Sequence, residues 1–459
     1  MDTLSPLDAA FLEIEDAEPE SSLAIASIAV LEGPVPAQEE LVTEYAARLP
    51  QVPRYRQRMR RVPFDLGPPV WADDPGFDPA KQFERIALPA PGDEGALCEL
   101  VGLIMSERMD RSRPLWQCWV VEGLPEGRWA LVSKIHHSLA DGVSASALHE
   151  LFFRVEPAPP APVWQPEDEP GPFTLLGSAV RRLVTGPFTE LPVLVRTMLS
   201  PERLARRIAD TARGMAALAT ALVPAASSSL TGPVGRQRHY ELAHTTLADL
   251  LAISRYFRVT LNDVALAAVT GALRAVLLDR GEDPAADTVR SLVPVSVRDS
   301  STMDNQISLL LPVLPVDLPD PVERLTAVHR RLTALKREKE AEAGLTVTTT
   351  AAHGPFPPVG WALRAAAKLP QRAITTVTTN VPGPAHRLSL LGREVVDLYP
   401  YVPIAVRLRT GIAILSYAGK VTFGITADVG TAPKAGLLSG TIEQELGALR
   451  HLAGGASEK

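Results

Sequence analysis

Seven consecutive residues, His136-His137-Ser138-Leu139-Ala140-Asp141-Gly142, place two imidazoles, a hydroxyl and a carboxylate together in a chain of 459 residues. A neutral imidazole removes a proton near neutral pH because its unperturbed pKa lies close to that pH. Neighbours on an extended backbone point to opposite faces, so one histidine addresses a given cavity while the other packs or orients. The pair cannot easily share a metal, since zinc ligands sit a helical turn apart or on separate loops and no cysteine knuckle is present. Ser138 as a nucleophile lacks the G-x-S-x-G elbow that would expose its hydroxyl. Proton transfer by a histidine is the leading chemistry. Asp141 can orient an imidazole, hold the loop through an Asx-type bond, or pair with a distant arginine, and the sequence leaves all three open. Gly142 permits a tight backbone there.

The elements that must present these groups are legible around them. Trp129 to Ile135 is an apolar run opened by the Pro125-Glu126-Gly127 turn, and it reads as a strand delivering the histidines to its end. Upstream, Ser106 to Arg113 reads as a charged helix, after which Pro114-Leu115-Trp116 turns the chain into the next strand with Trp116 in the core. In the carboxy-terminal half, strands are expected over 292–297, 308–315, 373–379, 412–417 and 420–426, and helices over 247–256, 261–279, 322–341 and 434–452. Thr260-x-x-Asp263 has the form of a capping box at a helix start. Asn380-Val381-Pro382-Gly383-Pro384 is a turn cluster by composition. Strands and helices mixed in both halves imply an α/β two-layer sandwich occurring twice, and ligand sites often form at such domain interfaces.

Composition bounds the function. Lys and Arg number 46 against 53 Asp and Glu, a net charge of −7 that argues against general nucleic-acid binding. Hydrophobic residues make up 46%, enough for real cores. Cys98 and Cys118 sit in apolar surroundings and read as buried thiols rather than a disulfide framework. No secretory signal is expected, and no uninterrupted apolar run reaches the ~20 residues that span a bilayer. Neither G-x-G-x-x-G nor G-x-x-x-x-G-K-[ST] occurs, so a redox cofactor or ATP is not supported. Val155 to Pro172 holds seven prolines and reads as a linker. From Phe173 to Met215, Arg181, Arg182, Arg196, Arg203, Arg206, Arg207 and Arg213 outnumber Glu190, Glu202 and Asp210 amid many apolar residues. Such a stretch suits an anionic membrane surface or a crossover helix between domains. The expected organisation is an amino-terminal domain over 1–156, the linker over 157–172, the basic helical connector over 173–236 and a carboxy-terminal domain over 237–459.

The H-H-x-x-x-D-G spacing resembles that of acyl-CoA-dependent acyltransferases related to chloramphenicol acetyltransferase, the plant acyltransferases of similar fold and peptide-synthetase condensation domains. Further segments resemble one branch, the bacterial wax ester synthase/diacylglycerol acyltransferases. They are, in order, Leu4-Ser5-Pro6-Leu7-Asp8-Ala9-Ala10-Phe11-Leu12, Pro114-Leu115-Trp116, Asn262-Asp263, Pro294-Val295-Ser296-Val297-Arg298, Thr379-Asn380-Val381-Pro382-Gly383-Pro384, Ser416-Tyr417-Ala418-Gly419 and Phe423-Gly424. One departure is Gln82, where the family often carries a histidine. The resemblance implies two chloramphenicol acetyltransferase-like sandwich domains with the active site between them. It implies His137 as general base, Asp141 arranging loop and imidazole, Gly142 permitting the turn, His136 in a structural role and Asn262 as a substrate-binding candidate. The implied reaction takes a long-chain acyl group from acyl-CoA, a co-substrate, to diacylglycerol, giving triacylglycerol, with long-chain alcohols as second acceptors giving wax esters. It implies no acyl-enzyme, no metal and no bound cofactor, at the inner face of the plasma membrane or on lipid inclusions. The alternatives are another alcohol or amine acceptor, or a non-catalytic lipid-binding member.

Overall fold

Alternating apolar residues build two mixed sheets, seen in a computed structural model that describes residues 2–139, 151–153, 164–181, 228–297, 306–342, 373–431 and 435–454. The amino-terminal half contains β1 (Asp2–Thr3), α1 (Pro6–Ala17), β2 (Ala24–Leu31), α2 (Gln38–Arg48), β3 (Gln57–Arg60), β4 (Val70–Asp73), β5 (Phe83–Ala87), α3 (Glu94–Ser106), β6 (Trp116–Glu122) and β7 (Trp129–His136). The carboxy-terminal half contains β8 (Arg238–Thr246), α4 (Leu247–Phe257), α5 (Leu261–Asp279), β9 (Val289–Val297), β10 (Gln306–Leu310), β11 (Val313–Leu314) and α6 (Pro321–Glu342). It continues with β12 (Thr376–Pro382), β13 (Ser389–Leu390), β14 (Arg393–Tyr401), β15 (Thr410–Tyr417), β16 (Lys420–Asp428) and α7 (Ala435–Gly454).

One sheet has the order β13-β14-β2-β7-β6-β5, the other β10-β9-β12-β15-β16-β8 with β11 beside β9, and a small third sheet is β1-β4-β3. Two strands from the carboxy-terminal half, β13 and β14, thus complete the sheet that carries the histidines. Register explains how the halves share a core: along β15, Ile412 and Ile414 pack among α4, α5 and α7, while Leu415 and Tyr417 face the amino-terminal cluster. The second sheet therefore has helices on one face and the first half of the chain on the other.

Two glycines permit that junction. A Cβ on Gly102 of α3 would stand 2.5 Å from the Arg238 carbonyl oxygen of β8, and one on Gly424 of β16 would stand 1.9 Å from the Pro400 carbonyl oxygen of β14. Only bare backbone fits in either place. Arg238, itself buried, donates to the Glu20 carbonyl at 3.0 Å, and its own amide donates to Ser106 Oγ at 2.8 Å, stitching the same seam.

Some local expectations need correction. The chain from 107 to 113 is not helical; α3 stops at Ser106, for a reason given below. β12 runs on through Asn380 and Val381 to Pro382, into the expected turn cluster. β9 pairs only with Thr376 and Val377, so past them β12 has an open side where a proline removes no ladder bond. α5 is long and apolar enough to cross a bilayer, an 18-residue stretch of it having a mean hydropathy of 1.6, yet 72% of that stretch is buried inside the protein. Trp116 is buried as expected, its Nε1 donating to the Tyr55 carbonyl at 2.8 Å, and Cys98 and Cys118 are buried free thiols.

Candidate active site

Central position fixes the histidine pair. β7 runs between β2 and β6, so the backbone at its end is held from both sides: the His136 amide donates to the Leu115 carbonyl at 2.9 Å and the His137 amide to the Leu23 carbonyl at 3.1 Å. His137 to Leu139 then form a single 3-10 turn. Two residues upstream, the buried Lys134 ammonium donates to the carbonyls of Ile104 at 2.7 Å and Glu107 at 2.5 Å, closing the end of α3. A cation at a helix C-terminus satisfies the last carbonyls and favours the dipole. Burial pushes its pKa down to about 8. Freed from a helix, Arg108 and Arg111 reach α1 instead.

His136 is fully buried. The Ser138 amide donates to its Nδ1 at 3.2 Å, and Ser138 Oγ lies 2.7 Å from the same nitrogen. An Nδ1 that accepts leaves the proton on Nε2, which faces Glu15 Oε2 at 3.4 Å, an ion-pair distance rather than a formed hydrogen bond. Glu15 is buried on α1, where Arg111 donates at 2.5 Å, Arg108 stands at 3.3 Å and the Leu23 amide donates at 3.0 Å. Burial alone would raise its pKa; His136, Arg111 and the Leu23 amide overcome that and hold the carboxyl well below the ordinary range.

His137 is the first residue of the 3-10 turn and, like His136, meets α1. Its ring stacks on Phe11 with centroids 4.0 Å apart and planes at 30°. Its Nδ1 is buried without a hydrogen-bond partner among the described residues. Burial, with His136 acting in the same direction, pushes its pKa down to about 4, so the ring is neutral at pH 7 and open to a proton. Phe11 and Glu15 are four residues apart on α1 and share one face of it. The helix is set by its N-cap, Ser5 Oγ accepting from the Asp8 amide at 3.2 Å.

Asp141 and Gly142 lie outside the described residues, as do Arg182, Arg196, Arg203, Arg206, Arg207 and Arg213. Asn262 accepts at Oδ1 from Asn380 Nδ2 at 3.3 Å, which joins two of the sequence motifs, and neither asparagine hydrogen-bonds to His136 or His137. Thr260 and Asp263 form the expected capping box, and Asp263 also accepts from His329 Nδ1 at 2.7 Å. Gly383 donates to Ser416 Oγ at 3.3 Å, and Ala418 donates to the Pro384 carbonyl at 3.1 Å, bringing two further motifs together. Sequence reasoning missed Glu15, Arg108, Arg111 and the stacking role of Phe11. The signal for Glu15 was weak: it lies beside Glu13 and Asp16, and nothing in the local sequence singles it out. Among the described residues no group of three His, Cys, Asp or Glu side chains is placed to hold a metal ion.

Residues 4–265 match the wax ester synthase/diacylglycerol acyltransferase catalytic domain. The chain belongs to that family. Residues 303–450 of this family member match the wax ester synthase/diacylglycerol acyltransferase C-terminal domain. A Mycobacterium tuberculosis chain named as a probable diacylglycerol O-acyltransferase is 43% identical over 98% of this chain and 96% of its own length. The solved wax ester synthase/diacylglycerol acyltransferase from Marinobacter aquaeolei superposes with a TM-score of 0.69 at 25% identity, covering 99% of this chain and 100% of that one. The starter condensation domain of rhizomide synthetase, solved with C8-CoA and Leu-SNAC, reaches a TM-score of 0.56 at 16% identity over 99% of this chain and 94% of its own, a likeness of fold alone.

Proposed function

We propose that this wax ester synthase/diacylglycerol acyltransferase moves a long-chain acyl group from acyl-CoA to the free hydroxyl of diacylglycerol, giving triacylglycerol, and accepts long-chain alcohols as second acceptors. The observation that carries the reading is the near full-length match to the Mycobacterium tuberculosis diacylglycerol O-acyltransferase. The neutral imidazole of His137 supports it chemically. His137 takes the acceptor's proton as that oxygen attacks the thioester carbonyl. The tetrahedral oxyanion then collapses, the carbon–sulfur bond breaks, and the imidazolium returns the proton to the departing coenzyme A thiolate. General-base catalysis of this kind is worth about 10² to 10⁴ in rate. Asp141 keeps the loop and imidazole arranged, and the cycle uses no acyl-enzyme and no bound cofactor.

Both lipid substrates partition into membranes, and the reaction is assigned to the inner membrane face or the surface of lipid inclusions. Part of the basic connector bears on this. In the helical residues 172–181, Leu175 and Ala179 pack against Val62 and Val70, while Phe173 and Val180 are exposed. Flotation with anionic liposomes tests the assignment; a protein that stays at the bottom of the gradient counts against it.

The test of the reaction is a direct assay of purified protein with labelled palmitoyl-CoA and a panel of diacylglycerol, hexadecanol and amines, beside His137→Ala. Labelled triacylglycerol from the wild type, and at least 100-fold less from the variant, is expected. Equal product from both would sink the general-base role, and product only from amines would sink the acceptor assignment.

A further inference from the structure

We propose that Glu15 is a positioning residue for the acyl transfer. It acts through His136 and Leu23 to hold the turn from which His137 meets the acceptor hydroxyl. The proposal rests on the reading of His137 as general base.

A carboxylate removed from water is costly unless it is paired and hydrogen-bonded, so its partners show what it is there for. Two of Glu15's partners, Arg108 and Arg111, tie the 107–113 loop to α1. That tie does not need Glu15, because the neighbouring Asp16 takes Arg111 Nη1 at 2.7 Å and stands 3.7 Å from Arg108. The remaining partners are shared with no other carboxylate. Glu15 Oε1 accepts from the Leu23 amide, and the carbonyl of that same Leu23 accepts from the His137 amide. Glu15 Oε2 faces the Nε2 of His136, whose Nδ1 takes the Ser138 amide. One carboxylate thus grips both residues that flank the backbone of His137.

The tautomer follows from the same contacts. Were the His136 proton on Nδ1, it would oppose the Ser138 N–H and leave a bare Nε2 lone pair facing an anion. With Nε2–H toward Glu15, Nδ1 accepts the Ser138 amide, Nε2–H faces the carboxylate at 3.4 Å, and the 3-10 turn is closed by its own preceding side chain. His136, Arg111 and the Leu23 amide keep the carboxylate ionised, which makes it a constant rather than a switch. Carboxylates that orient metal-binding histidines typically matter by about 10- to 100-fold, and an effect of the same order is expected here.

The experiment compares Glu15→Gln, Glu15→Leu and Asp16→Asn in the full-length enzyme with palmitoyl-CoA and dioleoylglycerol. Glu15→Gln has one acceptor oxygen where Glu15 has two, so it can keep the Nε2–H or the Leu23 amide but not both, and its kcat is expected to fall about 10-fold. Glu15→Leu removes both and is expected to lose about 100-fold in kcat, with KM for either substrate moving less than about 2-fold, the mark of an effect on the reacting geometry alone. Asp16→Asn should stay within about 2-fold of wild type, as an outer-rim charge does. Nitrogen-15 shifts of the His136 ring should report the Nε2–H form in the wild type and mixed tautomers in Glu15→Leu. A folded Glu15→Leu with wild-type kcat and an unmixed His136 tautomer overturns the proposal. So does an Asp16→Asn loss as large as that of Glu15→Leu, which would make the loop tie the whole role. If Glu15→Leu does not fold, Glu15→Gln decides, and an unchanged kcat overturns it. Wild-type turnover in His137→Ala would instead remove the base reading while leaving the His136 tautomer result intact, so the two failures are distinct.

Discussion

Phe11 lies nearly face to face with His137, its ring centroid 4.0 Å away, so the helix that opens the chain supplies one wall of the imidazole's environment. Aromatic stacking of this kind fixes the plane of a ring and shields it from water. Phe11→Leu keeps an apolar side chain but gives up the flat contact. Its kcat is expected to fall several-fold, about 3 to 10, as an orientation loss does. Water admitted to the ring relieves the desolvation that depresses its pKa, so the acid limb of the variant's kcat/KM profile should move upward in pH. A Phe11→Leu enzyme whose profile overlays the wild type would show that the stack does not set the imidazole's basicity.

The His137 pKa of about 4 makes a second prediction, in which the sign is set by the base needing to be neutral. Rate should hold from neutrality down to about pH 5 and fall as pH drops through about 4, well below the limb near 6.5 that an unperturbed histidine would give. Stability follows the same group. Its folded pKa lies below its unfolded value, so the contribution is complete above pH 6.5 and is lost as pH falls toward 4. Melting temperatures across pH 4 to 7 should therefore decline less steeply in His137→Gln than in wild type. A parallel decline in both proteins would place the proton uptake elsewhere.

The local pieces of this site were readable because each is a short-range signal. The strand ending at His136, the capping box of Thr260 and Asp263 and the long apolar α5 all follow from spacing within one element. What joins them was not readable. Glu15 sits among other acids in the sequence, and only the fold brings Arg108, Arg111 and His136 around it from about a hundred residues away in the chain. Likewise the strands expected in the carboxy-terminal half do not include β14, and pairing with β2 places it in the other sheet. The non-helical 107–113 segment was misread because its charges suit a helix surface, whereas the Lys134 ammonium that ends α3 arrives from a strand.

Asn262 and Asn380 exchange a single neutral hydrogen bond of 3.3 Å between the start of α5 and the strand β12. A bond of that type contributes about 1 kcal/mol net. Asn262→Ala and Asn380→Ala should each lower stability by about that amount in chemical denaturation. The double variant should cost little more than either single one, because the two remove the same contact. Fully additive losses would mean that the asparagines act separately, and Asn262 would then be the one to test for a direct contact with substrate.

Gly424 makes the most severe steric demand at the junction between the two sheets. The Pro400 carbonyl oxygen of β14 occupies the space its Cβ would need, 1.9 Å away, and Tyr240 Oη stands 2.9 Å from the same point. Gly424→Ala must therefore push β14 off β16. Since β14 pairs with β2 and β2 with β7, the displacement reaches the strand that ends in His136. Overpacking of a tight core costs about 1–3 kcal/mol, and here the obstacle is backbone rather than a flexible side chain, so the upper end or a failure to fold is expected. Gly440→Ala is the matched control: it lies in α7 with nothing within 4 Å of its would-be Cβ, and replacing a helical glycine there should stabilise by about 0.5–1 kcal/mol. Denaturant midpoints of the two variants should move in opposite directions. If Gly424→Ala unfolds at the wild-type midpoint, the two strands are not in contact in solution, and the account of how the carboxy-terminal half braces the histidine strand fails with it.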